Sequence, residues 1–382
     1  MDGVFYRETW VEVDLKAIEK NIRSIIKLLP EDTDLMAVVK ANAYGHGAFE
    51  VAEIALKTGA KALAVASLDE ALSLRRKGLD APILVLGYCP PVHVNIAAEN
   101  DISLTVFQNE WLKEAESILT TPLSLHLKCD TGMGRIGIRK IEELQEIVQM
   151  VRVSKKFHLE GVFTHFAQAD TLDSPYVKEQ LERFHHFLDG LDEKPRWVHA
   201  SNSAATLLYP EAAFNLVRVG IAMYGLAPSQ EIAGALPISL QPAFTLHSRL
   251  CQVKRVEKGA KIGYGSTYVA EKEEWIGTIP IGYADGWLRD LQGQDVLVQG
   301  RRVPIVGRIC MDQCMIRLPE EFPVGTPVTL IGSQGEKSIT VDEIAARIGT
   351  INYEVVCQIS SRVPRVYKYD GEVVKVTNPL FY

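Results

Sequence analysis

The hydrophobic positions of residues 35–219 fall into short apolar runs separated by segments of helical periodicity. Short runs rich in branched apolar residues predict strands that are buried on both faces. The runs cover residues 35–39, 62–66, 83–86, 102–107, 123–127, 157–163, 197–200 and 215–219. Strands that alternate with helical crossovers in this number predict an α/β TIM barrel, (β/α)8.

The helical segments carry their own start and stop signals. An alternating strand over residues 9–13 ends at Asp14, which can cap the helix that follows. The clearest later helix has Ser174 as its cap, Pro175 at its first position and Gly190 as its stop. Its predicted apolar face consists of Val177, Leu181, Phe184 and Leu188.

After residue 242 the pattern changes. Residues 227–242 contain three prolines and little helical periodicity, so they predict a domain boundary. Alternating runs then follow, which predict a mostly β C-terminal domain. The runs are 245–256, 275–281, 295–298, 302–308 and 328–331. Thr340 and Glu343 form a capping-box pattern that opens a helix over 340–348. We therefore expect a barrel over 1–238 and a β domain over 239–382, with the first residues able to pack on the second domain.

Composition narrows the class of partner. The 382 residues have a formal net charge of −7 and no cluster of Lys or Arg, which disfavours nucleic acid and anionic membranes. No apolar segment approaches the roughly 20 residues that cross a bilayer, and no secretory signal is visible, so we expect a cytoplasmic protein. The six cysteines are scattered, and the close pair Cys310 and Cys314 has no second Cys/His pair at metal spacing. The sequence predicts free thiols and no metal site.

Polar residues gather where the predicted barrel strands end. Lys40 follows the first strand, and it either reaches solvent or serves in chemistry, since a buried ammonium is costly. Other polar residues in equivalent places are Lys128, Thr164, His165, Ser201, Asn202, Ser203 and Arg218. The active sites of TIM barrels lie at this end of the strands. The pattern thus favours an active site over side chains that only pack.

The segment 201–205 begins a helix after the seventh strand, and Gly220 with Ile221 follows the eighth. In TIM barrels these two loops commonly form a phosphate site, because free backbone amides meet the positive end of a helix dipole. A simple capping role for Ser201 or Ser203 is the alternative. No nucleotide-binding glycine loop is present, which disfavours ATP and NAD.

The sequence Val-Val-Lys-Ala-Asn-Ala-Tyr-Gly-His-Gly (38–47) resembles the motif with which alanine racemases hold pyridoxal 5'-phosphate on a lysine as a Schiff base. Further segments resemble motifs of that family in the same order: 128–137, 163–167, 199–203, 217–225, 263–268, 281–286 and 307–312. The resemblance implies an isomerase that interconverts L- and D-alanine and supplies D-alanine for cell-wall peptidoglycan. It also implies a head-to-tail homodimer in which the partner's β domain completes each site.

The resemblance also implies roles for individual residues. Lys40 is the cofactor lysine and one catalytic base, and the partner's Tyr264 is the base on the opposite face of the substrate. Arg135 contacts cofactor and substrate carboxylate, while Met311 offers the carboxylate a backbone amide. The other implied cofactor contacts are Tyr44, His165, Asn202, Ser203, Arg218, Gly220, Ile221 and Tyr353. Lys128, which is carbamylated in some members, is implied as a support for Arg135, with Tyr283 and Asp312 as supporting or entryway residues.

Arg218 is diagnostic because a guanidinium can only donate hydrogen bonds. Facing a pyridine nitrogen, it requires that nitrogen to be unprotonated, which weakens the electron sink and suits proton transfer. An Arg paired with an acid such as Glu211 is the structural alternative. A non-catalytic cofactor carrier or regulator resembles the barrel alone, so the β domain and Tyr264 disfavour it. A decarboxylase with the same two domains is the alternative that Arg218 disfavours, and a broader amino-acid racemase stays open. A metal hydrolase built on carbamylated Lys128 would need a His-x-His near the end of the first strand, and none occurs there.

Overall fold

The computed structural model describes residues 5–381, which divide into two compact units. One unit consists of Ala17–Ala43 and Ala48–Gln241. The other contains the described residues up to Lys16, the short segment Tyr44–Gly47, and the chain from Pro242 onward. The domain ranges 1–238 and 239–382 stay predictions, and residues 1–4 and 382 of those ranges lie outside the described part.

The first unit is a nearly closed barrel of parallel strands, which confirms the predicted fold class. From the first strand to the seventh, each pairs with the next in chain order, and the eighth, Leu216–Val219, pairs with the first, Asp34–Val38. The seventh and eighth strands are the two edges of this sheet. Just after the seventh strand, the Ser201 carbonyl accepts from the amide of Arg218 in the eighth at 3.0 Å, which connects these edges. The strands between are Ala62–Val65, Ile83–Val85, Ile102–Val106, Leu123–Lys128, Phe157–Phe163 and Trp197–His199.

Helices alternate with these strands. They are Leu15–Ile26, Ala48–Thr58, Leu68–Arg76, Val94–Glu99, Asn109–Ile118, Ile141–Val153, Pro175–Asp189 and Ser203–Leu208. In Pro175–Asp189 the predicted face is partly wrong, because Gln180 is buried while Leu181 is half-buried. The hydroxyl of Ser174 donates to Gln168 and does not cap the helix. The Gln180 amide is buried because it satisfies backbone groups of neighbouring loops.

The turn after Lys40 has a backbone that the sequence pattern did not predict. Residues Ala41, Asn42, Ala43 and Tyr44 all have φ between 52° and 53°, which is the left-handed helical region. L-residues enter this region at a cost of about 1–2 kcal/mol each, and consecutive examples are rare. Two hydrogen bonds stabilise the turn, from the Ala43 amide to the Val39 carbonyl and from the Ala48 amide to the Asn42 side chain, both at 2.9 Å.

The second unit is built on a mixed sheet in which Thr9–Asp14 has an internal place. This strand is antiparallel to Phe244–Arg249 and parallel to Arg365–Tyr369. The other strands of the sheet are Gln252–Val256, Glu274–Ile279, Asp295–Val298, Arg301–Val306, Cys314–Leu318, Pro327–Gln334, Lys337–Ile339 and Glu372–Thr377. A separate pair, Lys261–Ile262 and Tyr268–Val269, precedes Glu274–Ile279. The mostly β character predicted for this region is confirmed.

Local differences from the sequence pattern have physical reasons. The predicted strand 245–256 is two strands in the structure, because the extended segment is interrupted at Leu250 and Cys251. Thr340 caps Val341–Ile348 by accepting from the Glu343 amide at 3.0 Å, but the Glu343 carboxylate binds Arg302, so the predicted capping box is only half formed. The helix Asn352–Gln358 was not predicted. None of the described helices combines the length and apolar composition that a membrane crossing requires.

Candidate active site

The carboxyl ends of the barrel strands bring several basic side chains close together. Lys128 is the last residue of its strand, Arg218 lies in the last strand, and His165 follows Phe157–Phe163 by two residues. Charges on Lys40, Arg135 and Arg218 all act on Lys128 and on His165. A cluster of positive charge at one end of a barrel is suited to an anionic ligand.

Arg218 is fully buried, and its hydrogen bonds go to neutral acceptors. Nη1 donates to Nδ1 of His199 at 2.7 Å, and Nη2 donates to the carbonyls of Thr164 and Ala200, each at 2.9 Å. Within residues 5–381 no carboxylate pairs with it, so the alternative in which Glu211 binds Arg218 is wrong. Burial lowers the pKa of Arg218 to about 9, helped by the nearby Arg135 charge. The guanidinium is thus a buried cation whose Nε–H and second Nη1–H are available to a ligand acceptor.

His165 is fixed in one tautomer by the same arginine. Its Nδ1 lies 3.2 Å from Nη2 of Arg218, which can only donate, so a proton on Nδ1 would face another N–H and the ring proton is placed on Nε2. Burial and then the charges of Arg218 and Arg135 lower its pKa well below the ordinary value. His165 is therefore a neutral imidazole whose Nε2–H can donate to another group.

Lys128 is a buried amine with a depressed pKa. Burial is the largest cause, followed by the charges of Arg135 and Arg218, and together they lower the pKa to about 7. Nζ lies 5.3 Å from the centre of the Phe163 ring, a contact that favours the cation but does not outweigh those causes. A substantial fraction of this amine is neutral, and hence nucleophilic, near pH 7.

The loops after the last two strands converge on one oxygen. Ser203 Oγ accepts from the amide of Gly220 at 2.9 Å and from that of Ala222 at 3.4 Å. Asn202, not Ser201 or Ser203, caps the helix Ser203–Leu208, because its Oδ1 accepts from the Ala205 amide. The alternative of a simple capping role for Ser201 or Ser203 is therefore wrong. The two backbone amides converge on Ser203 Oγ, whose own proton remains to be donated.

Arg135 lies in a loop that neighbouring residues shape. The Asp130 carboxylate accepts from the amides of Gly132 at 3.1 Å and Gly134 at 2.9 Å, which folds the loop back on itself. Arg183 donates to the carbonyl of Thr131 at 2.9 Å. The side chain of Arg135 is exposed and makes no hydrogen bond with any residue between 5 and 381. An ordered loop thus presents an uncommitted cation.

Gln180 is a positioning residue that sequence reasoning missed. Its Oε1 accepts from the Ala167 amide at 2.8 Å, and its Nε2 donates to the His165 carbonyl at 3.1 Å. The side chain therefore holds the loop that carries His165. The available signal was a polar residue at a position that helical spacing places next to Val177 and Phe184 on the buried face.

In the second unit, Tyr44 and Tyr353 are neighbours. Their ring centres are 6.0 Å apart, and Tyr44 is buried, which raises its pKa above the ordinary value. The guanidinium of Arg365 donates to the Gly45 carbonyl at 3.0 Å. A Cβ at Gly47 would lie 1.8 Å from the hydroxyl of Tyr367, so glycine is required there. Burial thus keeps Tyr44 a neutral phenol, and the contacts of Gly45 and Gly47 fix the backbone beside it.

Four other predicted site residues lie at the surface of this unit. Tyr264 is 71% exposed between two glycines with positive φ, and Met311 is 53% exposed. The amide of Tyr283 donates to the Cys310 carbonyl at 3.0 Å, and Asp312 binds Arg362 at 2.8 Å. Tyr and Met are enriched where protein surfaces meet other proteins, so these two exposed side chains fit such a surface. Among residues 5–381, no group of three His, Cys, Asp or Glu side chains is arranged to hold a metal ion.

The chain matches the family descriptions "Alanine racemase, N-terminal domain" over residues 13–228 and "Alanine racemase, C-terminal domain" over residues 243–367. An alanine racemase of Geobacillus kaustophilus is 57% identical over 98% of both chains. The crystal structure of alanine racemase from Bacillus anthracis with bound L-Ala-P is 53% identical, covers 99% of both chains and has a TM-score of 0.97. A histidine racemase from Leuconostoc mesenteroides subsp. sake is 34% identical with a TM-score of 0.91, covering 96% of this chain and 99% of that chain.

Proposed function

The chain belongs to the alanine racemase family, and we propose that it interconverts L-alanine and D-alanine with pyridoxal 5'-phosphate held at Lys40. Arg218 is the observation that carries this proposal. A buried arginine bonded only to neutral acceptors can donate to the cofactor's ring nitrogen but cannot supply the carboxylate that would keep that nitrogen protonated. That chemistry favours moving a single proton over reactions that need a stronger electron sink.

The donor set of the barrel fits the cofactor. Lys40 supplies an amine, Arg218 supplies a donor for the ring nitrogen, and the Ser203 hydroxyl supplies a phosphate donor. The Gly220 amide donates to Ser203 Oγ, so we assign it to the phosphate site through the orientation of that hydroxyl. We propose the same phosphate role for Tyr44, Asn202, Ile221 and Tyr353. When bound, the cofactor withdraws electrons from the substrate α-carbon and so acidifies its proton.

The protein's own residues then handle that proton. Racemisation removes a proton from one face of the α-carbon and delivers one to the other, so two groups on opposite faces are needed. We assign Lys40 Nζ to one face and the phenol oxygen of the partner's Tyr264 to the other. The Nε2–H of His165 donates to that oxygen and stabilises its deprotonated form. This arrangement lets each group accept or return a proton in turn.

The substrate carboxylate requires donors of its own. The exposed guanidinium of Arg135 and the backbone amide of Met311 are assigned to it, with the latter supplied by the partner's β unit. Tyr283 and Asp312 border the same exposed surface of that unit. We propose that Lys128, as a neutral amine, takes up carbon dioxide to form a carbamate and a proton, and that the carbamate then pairs with Arg135.

A homodimer with shared sites is supported by the exposure of Tyr264 and Met311 on ordered turns. Supply of D-alanine for peptidoglycan and a cytoplasmic location complete the proposal and rest on the family alone. A broader amino-acid racemase is the second candidate, because a histidine racemase has the same architecture. The higher identity to alanine racemases favours alanine.

The decisive experiment tests Lys40. Purified protein with pyridoxal 5'-phosphate is reduced with borohydride, and the labelled peptide is mapped. We expect the label on Lys40, and we expect Lys40→Ala to lose both the label and racemisation in each direction. Lys61→Ala, at an exposed site, is the matched control and should retain both. Label on another lysine of the active protein would refute the assignment.

A further inference from the structure

A line of buried polar side chains leads from Arg218 through the barrel interior to a glutamate. Nη1 of Arg218 lies 2.7 Å from Nδ1 of His199, whose Nε2 lies 2.8 Å from Nδ1 of His126. Nε2 of His126 lies 3.3 Å from Oε2 of Glu160. Arg218 and the two histidines are buried, and Glu160 is 8% exposed.

The hydrogen bonds along this line can run in one direction only. Arg218 donates, so Nδ1 of His199 accepts and its proton must be on Nε2. That proton is donated to Nδ1 of His126, which places the proton of His126 on Nε2, facing Glu160. Burial, followed by the Arg218 charge, lowers the pKa of His199 well below its ordinary value, which agrees with a neutral ring.

Glu160 is suited to be the acceptor at the end of the line. Burial alone raises its pKa, but hydrogen bonds from His126 and Ser103 outweigh burial and leave the pKa lowered. Its other oxygen lies 3.8 Å from the exposed Arg196. Glu160 is therefore an anion that only accepts, at the opposite end from a cation that only donates.

Packing holds the two imidazoles in place. The His199 ring stacks on Phe163 at a centroid distance of 4.7 Å and an angle of 7°. A Cβ at position 161 would lie 2.3 Å from Nδ1 of His126, so only glycine at this position leaves room for the His126 ring. The line is thus a built feature of the core.

We propose that Glu160 is a positioning residue for the racemase reaction, serving as the counter-charge of Arg218 from a distance of two imidazoles. This proposal rests on the proposed function. A carboxylate bonded directly to Arg218 would place an acceptor beside the cofactor ring nitrogen. With two neutral rings between them, Glu160 offsets the charge of the buried cation while only donors face the ligand. His199 and His126 transmit the polarisation of the hydrogen bonds between Arg218 and Glu160, and both rings stay neutral.

The direction of the line can be tested without cofactor. Histidine rings labelled with ¹⁵N in the cofactor-free chain should show both His126 and His199 protonated on Nε2 and bare on Nδ1, with His126→Asn used to assign the signals. Protonation of His199 on Nδ1, or a doubly protonated ring, would overturn the proposal.

To test the role of Glu160 in the reaction, its charge must be removed while its shape is kept. In Glu160→Gln, we expect kcat per bound cofactor to fall about tenfold and the KM for alanine to stay within about twofold. The absorbance maximum of the bound cofactor should also shift, and Glu160→Asp should restore part of both. Glu343→Gln is the matched control, because Glu343 is also multiply hydrogen-bonded but lies in the other unit.

The outcomes separate the two proposals. An inactive wild-type protein would contradict the proposed function. An active wild type with unchanged kcat and absorbance in Glu160→Gln would overturn the role of Glu160 alone. Should Glu160→Gln fold poorly, Gly161→Ala displaces the His126 ring without altering a charge, and it should lower kcat in the same way. Unchanged kcat in a folded Gly161→Ala protein would also overturn the proposal.

Discussion

The carboxylate of Glu70 lies 2.7 Å from the backbone nitrogen of Ala41, the residue that follows Lys40. Its other oxygen accepts from the amide of Ala66, also at 2.7 Å. Glu70 thus joins the ends of two adjacent barrel strands. Ser67 and Glu70 have the spacing of a capping box, but the carboxylate serves Ala41 and Ala66 and leaves the usual reciprocal bond unformed.

Glu70→Ala should loosen the turn that carries Lys40. Hydrogen bonds to a charged group contribute about 1.5–3 kcal/mol each, and both of these bonds are exposed to solvent. We therefore expect the lower end for the pair, a loss of about 3 kcal/mol in the free energy of unfolding. Glu70→Gln keeps one good acceptor and should lose about half as much. Urea denaturation measures the loss, and the rate of cofactor attachment should fall with it. A stability loss without slower attachment would show that the bond to Ala41 does not position Lys40.

The left-handed turn itself makes a second prediction. Ala41 is exposed, so replacing it with glycine removes backbone strain of about 1–2 kcal/mol against an entropic cost of about 0.5–1 kcal/mol. We expect Ala41→Gly to be neutral or to stabilise the protein by up to about 1.5 kcal/mol. Ala346→Gly, at an exposed position in a regular helix, is the control and should destabilise by about 0.5–1 kcal/mol. Equal losses at both positions would mean that the turn is not strained.

The sequence predicted the barrel because each strand is apolar on both faces and so stands out from its helices. It could not predict the turn at 41–44, because the residue types there do not favour positive φ and tertiary contacts decide it. His126 and Glu160 were missed for a related reason. Each is a polar residue inside a strand, and its significance depends on a partner more than thirty residues away. Pairing of that kind is set by barrel register, which the apolar pattern does not encode.

Lys128 predicts a pH dependence of stability. Its pKa is about 7 in the folded protein, against an ordinary value of 10.5, so folding disfavours the cation. The penalty is complete below pH 7 and is relieved as pH rises from 7 towards 10.5, where the unfolded chain alone binds the proton. Lys128→Met should therefore stabilise the protein more at pH 6 than at pH 9, by about 2–3 kcal/mol. Urea denaturation in buffers free of carbon dioxide tests this, with Lys61→Met as the exposed control. A difference that does not vary with pH would contradict the shift.

The same amine predicts modification. With ¹³C-labelled bicarbonate above pH 7, the neutral amine should attack carbon dioxide and give a carbamate signal in the ¹³C spectrum. Lys128→Met should remove that signal, while Lys61→Met should not. Absence of the signal in the wild type at saturating bicarbonate would contradict the proposal that a carbamate on Lys128 pairs with Arg135.

The assignment of two bases in two chains makes the final prediction. Tyr264→Phe removes one base but keeps the cofactor lysine, so it should lose racemisation while retaining cofactor attachment and proton exchange on one face only. Lys40→Ala should lose both racemisation and cofactor attachment. Because Tyr264 is 71% exposed, we expect it to serve the partner's site, and a mixture of the two inactive chains should then regain activity. The heterodimer would contain one site with both residues and one with neither, which sets a ceiling of about half the wild-type activity. A chain that carries both substitutions, mixed with either single mutant, is the control and should stay inactive. If subunit exchange is demonstrated and the mixture of single mutants also stays inactive, then Tyr264 either acts within its own chain or is not the second base.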